Sequence, residues 1–308
     1  MKKHKITKLI SLSLFATILS VLFVFLGAPV LRVIRNCFGS FKFWIAGVTV
    51  LIALTAAQMG LVGFLAFSLW VTIGVYAEFE ERGRASLQSA FIAIALGSCV
   101  LMGGPVLLFK IQGADVYEAI KLGLEEILSK SLKTGGGNQS ALGLMPVSLE
   151  TLMAQIPSMV FLSQLISLAF ALMLDKKAAS MLGMKFEKVA SQIKLLEFKV
   201  PEWLIWPTLL SLLFTFTKVD VASVNTVAAN MLNVFLGLYF FQGLAILEVA
   251  LLVFQAGLFT RVLIYFVLVG QLFLILSAVG LTDYWLDLRT RLRKNRRQQG
   301  HEKNGEKL

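Results

Sequence analysis

The chain has 308 residues, of which 57% are hydrophobic and 15% charged, and its net charge is +11. Soluble domains carry about a quarter charged residues, so this composition excludes water as the main solvent and points to a polytopic membrane protein. Two cysteines, Cys37 and Cys99, without a CxxC spacing, indicate neither a disulfide framework nor a zinc site.

A hydrocarbon core about 30 Å thick needs roughly 20 mostly apolar helical residues to cross it. By that measure about eight candidate spans follow in chain order: Leu9–Leu26, Phe41–Met59, Leu61–Ala77, Leu87–Phe109, Leu152–Leu174, Trp203–Thr217, Val224–Phe254 and Val262–Tyr284. The first follows Met1-Lys-Lys-His-Lys and resembles a signal peptide. Its core is long and no small-residue cleavage site stands out before Pro29, so it reads as a retained helix. Gly60 is the only break between the second and third spans, which predicts a tight hairpin. The seventh is too long for one untilted crossing and is expected to project or to bend near Gly243.

Outside the spans, Val116, Ile120, Leu124, Ile127 and Leu128 recur at helical spacing, with Glu118, Lys121, Glu125 and Lys130 on the other side. The spacing predicts an amphipathic helix over Asp115–Leu132. A second such pattern, Met184–Phe198, carries Lys185, Lys188 and Lys194 toward headgroups. Thr134–Ser140 is a Gly-rich linker lacking the Gly-Lys-Ser/Thr ending of a phosphate loop. The expected organisation is a membrane bundle over residues 1–288 and a disordered, basic cytoplasmic tail over 289–308.

Basic residues beside a span mark the cytoplasmic side and favour anionic headgroups. The densest cluster, Arg289 to Arg297, assigns the tail to that side. With eight spans, however, Arg32, Arg35 and the lysines from Lys176 to Lys199 then fall on the opposite side. Nucleic-acid binding is not expected, because the tail has no aromatic residue after Trp285 on which to stack bases.

Ionisable groups deep in hydrocarbon are costly and each is a functional candidate. Asn230, Asn233, Gly237 and Glu248 fall on one face of the seventh span, with Gln242 a further buried amide on the same helix. Two readings stand. The stripe faces a wet cavity and hydrogen-bonds a small polar ligand, or the amides join neighbouring helices, Gly237 permits close packing and Glu248 meets headgroups or Arg261. Likewise Gly103-Gly104-Pro105 and Pro157 mark either broken helices lining a site or simple kinks.

Both histidines, His4 and His301, lie in the terminal segments, so the membrane body has no imidazole for proton transfer or metal ligation. HExxH, GxSxG and Walker sequences are missing, as is an acidic pair at helical spacing within a predicted span. Neither enzymatic activity nor a cofactor or metal is expected.

Three segments of the C-terminal third carry a resemblance: Phe198-Lys-Val-Pro201-Glu-Trp203-Leu204, Phe240-Phe241-Gln242-Gly243-Leu244-Ala245, and Gly280-Leu281-Thr282-Asp283-Tyr284-Trp285-Leu286-Asp287-Leu288-Arg289. Together they resemble the YybS-like bacterial membrane proteins, a domain of unknown function. The resemblance implies a multi-pass protein of the bacterial inner (cytoplasmic) membrane. It also implies a looser relation to the substrate-binding components of energy-coupling-factor transporters and to the rod-shape protein MreD. No vitamin-contacting motif of the former can be placed on this chain. The expected fold is therefore an all-α polytopic bundle. The expected function is a small-solute binding or transport component without its own ATPase, held in the lipid bilayer with its basic tail on anionic headgroups and needing a membrane-protein or transporter partner. The alternative is a scaffold for envelope or other membrane proteins.

Overall fold

A computed structural model describes residues 2–84, 86–134, 148–184, 198–217, 222–257 and 273–292, with 259–261, 263, 264, 267 and 294. The chain divides into two units, Met1–Ser191 and Gln192–Leu308. Every regular element described is helical, as the composition predicts.

Unit 1 contains α1 (Lys2–Leu22), α2 (Gly27–Phe38), α3 (Ser40–Ala56), α4 (Gly60–Glu81), α5 (Leu87–Ile111), α6 (Val116–Thr134) and α7 (Leu149–Met181). Ser86 and Ser148 start α5 and α7, each accepting a hydrogen bond from the backbone N–H three residues on. The α3–α4 hairpin is as predicted, with Ala57 to Met59 making the turn. The amphipathic helix predicted from Asp115 is α6, with Glu118, Lys121 and Glu125 exposed and Ile120 and Leu124 half-buried. Pro105 and Pro157 lie inside unbroken helices, so neither segment is a broken helix.

The prediction fails between Leu22 and Ser40. The first helix ends four residues early, and the stretch expected to be a loop carrying Arg32 and Arg35 is α2, buried from Gly27 through Arg35. At about 1.5 Å per residue it is some 18 Å long, too short to cross. Gly39, with φ +83°, is the only residue between α2 and α3, and an L side chain there would be strained. Around α2 the core gathers Leu12 and Ala16 of α1, Leu31 and Ile34 of α2, Phe43 of α3, Trp70 and Ile73 of α4, Ile94 of α5 and Leu168 of α7. Trp70 fills the space over Gly47 and donates its indole N–H to the Phe43 carbonyl at 3.1 Å.

Unit 2 opens with a 3₁₀ turn, Glu202–Leu204, followed by α8 (Ile205–Thr217), α9 (Ala222–Val253) and α10 (Phe273–Leu286). The bend expected near Gly243 is absent, because α9 runs through it as one helix of 32 residues. Gly243 instead permits close approach. A Cβ there would lie 2.1 Å from the Leu276 carbonyl oxygen, and one on Gly280 would lie 1.9 Å from that of Tyr239. Backbone of α9 and α10 therefore touches where both helices lack side chains, as in other small-residue contacts between membrane helices.

The eight apolar stretches recognised in the sequence correspond to eight apolar helices, although the last is described only from Phe273. Among the described residues four, α4, α5, α7 and α9, are long and apolar enough to cross a bilayer. The other four, within α1, α3, α8 and α10, are shorter. Most of Met184–Phe198, the Gly-rich linker and the tail beyond Lys294 lie outside the described residues.

Candidate functional site

The most heavily charged buried feature of unit 1 is built on α2. Arg32 and Arg35, one turn apart, are each 1% exposed. Arg32 Nε donates to Asp175 Oδ2 of α7 at 2.9 Å, and its Nη2 lies 2.9 Å from the Glu80 carboxylate of α4. Arg35 Nη2 bridges Glu78 at 3.0 Å and Glu81 at 2.8 Å, both on the last turn of α4. Ser40, at the start of α3, hydrogen-bonds Glu78 as well. One short helix is thereby pinned by charge to two neighbours, α4 and α7, and Ser40 ties α3 to one of the same carboxylates.

The Arg32 side is closed, with Glu80 and Asp175 side chains 9% and 6% exposed. The Arg35 side is open, with Glu78 and Glu81 at 31% and 43%. Burial works against the Arg32 charge, but the carboxylates of Glu80 and Asp175 more than offset it, so its pKa is held above the ordinary arginine value. Arg32 Nη1, Arg35 Nε and the Tyr76 hydroxyl are buried without a hydrogen-bond partner among the described residues. The Tyr76 ring centroid lies 5.9 Å from the Arg32 guanidinium carbon. No three His, Cys, Asp or Glu side chains gather as a metal site among the described residues.

A polar stripe continues from this centre along α4. Ser68, Thr72, Tyr76 and Glu80 recur every fourth residue, over about 18 Å of helix. Gln164 of α7 joins the deeper two, accepting from Thr72 Oγ1 at 2.9 Å and donating to Ser68 Oγ at 2.8 Å. Gln164, Ser68 and Thr72 are completely buried. Polar atoms at this depth must find partners within the protein, and these do.

Sequence reasoning missed this centre. Arg32 and Arg35 fall between the first and second predicted spans, and Glu78, Glu80 and Glu81 just beyond the predicted end of the third at Ala77. The available signal was a basic i, i+3 pair, Arg32 and Arg35, and an acidic i, i+3 pair, Glu78 and Glu81, beside apolar runs.

The residues singled out on the seventh span all lie on α9 of unit 2. Asn230 and Asn233 are half-buried, and Asn230 Nδ2 donates to the Thr226 carbonyl at 2.9 Å. Gly237 is buried, and Glu248 Oε1 lies 3.5 Å from Arg261 Nη1. Gln242, 2% exposed, is engaged at both ends of its amide: Oε1 accepts from the Val200 N–H at 2.8 Å, and Nε2 donates to Asp283 Oδ2 at 3.1 Å. Asp283 Oδ1 accepts from the Leu288 N–H at 2.9 Å, and its Oδ2 lies 3.4 Å from Arg289 Nε. The three sequence segments that carried the resemblance thus meet at one polar node, with Val200 from the first, Gln242 from the second and Asp283 from the third.

No curated protein and no solved structure matches the chain. A family profile does, over residues 6–284, and so covers both the α2 centre and the α9–α10 node. The chain belongs to that family, described as predicted membrane protein (DUF2232).

Proposed function

We propose that the protein is a small-solute binding or transport component of a bacterial inner membrane, without an ATPase of its own, and that its working centre is the α2 cluster of unit 1. The observation that carries this reading is the burial of two arginines of α2 against four carboxylates from two neighbouring helices, α4 and α7. Buried ion pairs of this kind are weak sources of stability, because well-packed apolar residues often replace them at no cost. Inside membrane bundles, charged groups mark solute and ion pathways. The partly exposed Glu78 and Glu81 form the open edge, and the Ser68–Thr72–Gln164 stripe extends the polar surface inward.

Stability and function are separable here by experiment. The triple variant Arg32→Met, Glu80→Met, Asp175→Leu removes the closed half of the centre without leaving a lone charge. Native mass spectrometry of gently purified protein is expected to reveal a stoichiometric small molecule, released on unfolding, in the wild type and in Asn233→Leu. The triple variant, still folded, is expected to have lost it. A small molecule lost in Asn233→Leu and Glu248→Gln but kept in the triple variant would move the site to α9. Protein subunits with no small molecule would favour the scaffold reading, which rests on α6 and its exposed Tyr117 and Leu122.

A further inference from the structure

A groove of about 430 Å³ runs between α1, the start of α2 and the end of α7, on the outer surface of unit 1. Phe15 and Leu19 form one wall, Val30 the floor, and Leu174 and Met181 the other wall, with Lys177 at the rim. Lys177 alone is charged among the residues that line it. From this arrangement we infer that the groove is a binding site for one anionic glycerophospholipid, an acyl chain lying along the apolar walls and the phosphate on the Lys177 ammonium.

Three observations select this occupant. Phe15 and Met181 are 47% and 80% exposed, so the walls open sideways onto the surface that an apolar helix bundle presents to hydrocarbon. The uninterrupted apolar run of α7 ends at Leu174 and is followed by Asp175, Lys176 and Lys177, which places the lysines where the helix leaves the hydrocarbon, at the level of headgroups. Asp175 is turned inward onto Arg32, whereas Lys176 and Lys177 are exposed, so the charge that this end of α7 presents outward is positive. An apolar helix from another protein would fill the walls but leave the ammonium without a partner. A phosphodiester satisfies both.

The test uses full-length protein, stripped of lipid in mild detergent and titrated with phosphatidylglycerol or phosphatidylethanolamine of identical acyl chains, with bound lipid read by native mass spectrometry. Phosphatidylglycerol is expected to bind more tightly. Lys177→Ala is expected to weaken it about fivefold, the effect of one lysine near a membrane surface, and to weaken phosphatidylethanolamine, whose phosphate is already offset by its own ammonium, by less. Ala178→Trp, which fills the groove, is expected to reduce both. A photoreactive side chain at Met181 reads the same groove in intact cells without disturbing Lys177, and there a lipid adduct is expected. Equal binding of the two lipids, phosphatidylglycerol binding unaffected by Lys177→Ala, or a protein adduct at position 181 would overturn the assignment.

Discussion

Arg32 and Asp175 are 143 residues apart in the chain and 2.9 Å apart in space, and both are buried. Their pairing ties α2 to α7, while Glu80, on the same guanidinium, ties it to α4. Removing one member of a buried pair costs about 3–5 kcal/mol, because the other charge is left uncompensated. Arg32→Ala strands two carboxylates and Asp175→Ala leaves Arg32 one, so the first is expected to be the more damaging. Thermal unfolding in detergent checks the order. Equal Tm values for wild type and Arg32→Ala would remove the ion pairs from any account of how α2 is held.

The crossing of α9 and α10 makes an equally local prediction. Gly280→Ala drives a methyl group into the Tyr239 carbonyl, and backbone cannot move aside as a flexible side chain can. A loss of about 1–3 kcal/mol or more is expected, the usual cost of overpacking. Gly103→Ala is the control. Nothing lies within 4 Å of the added carbon, and a helix-interior alanine gains up to about 1 kcal/mol over glycine. Limited proteolysis and Tm should move in opposite directions for the two variants.

Gln164→Leu tests the polar stripe. It removes both bonds to α4, but hydrogen bonds between membrane helices average only about 0.6 kcal/mol and reach about 2 kcal/mol. The expected loss of stability is therefore small, well below that of Arg32→Ala. A loss as large as that of Arg32→Ala would show that the stripe, rather than the ion pairs, holds α4 against α7.

The path of unit 1 through the bilayer can be read by cysteine labelling in a Cys37→Ser, Cys99→Ser background. Arg84 follows α4 and Ser180 ends α7, while Gln58 precedes α4 and Gly113 follows α5; all four are exposed. An impermeant thiol reagent is expected to label Arg84→Cys and Ser180→Cys from one side, and Gln58→Cys and Gly113→Cys from the other. Labelling of Arg84→Cys and Gln58→Cys from the same side would deny that α4 crosses.

Hydropathy made the apolar helices legible, because a run such as Leu87–Phe109 has few alternatives to spanning. The same measure concealed α2. Twelve residues with two arginines and a proline lie below the length of a span, and only the carboxylates of α4 and α7 make their burial tolerable. Those partners lie 43 to 143 residues away, and no local pattern announces such pairing. The α9–α10 node was half legible. Gln242 and Asp283 stood within the segments that carried the resemblance, but their bond, across 41 residues, belongs to the tertiary fold. Among the basic residues set against the terminal tail, Arg32 and Arg35 are buried in ion pairs and count little toward orientation.

The pinning of α2 also constrains the order of events during synthesis. The segment emerges early, yet it is too short to insert alone and carries two charges that hydrocarbon rejects. Glu78, Glu80 and Glu81 follow some forty residues later, and Asp175 only when α7 has been made. The closed half of the centre, with Arg32 held between Glu80 and Asp175, is therefore complete only after α7 has been made.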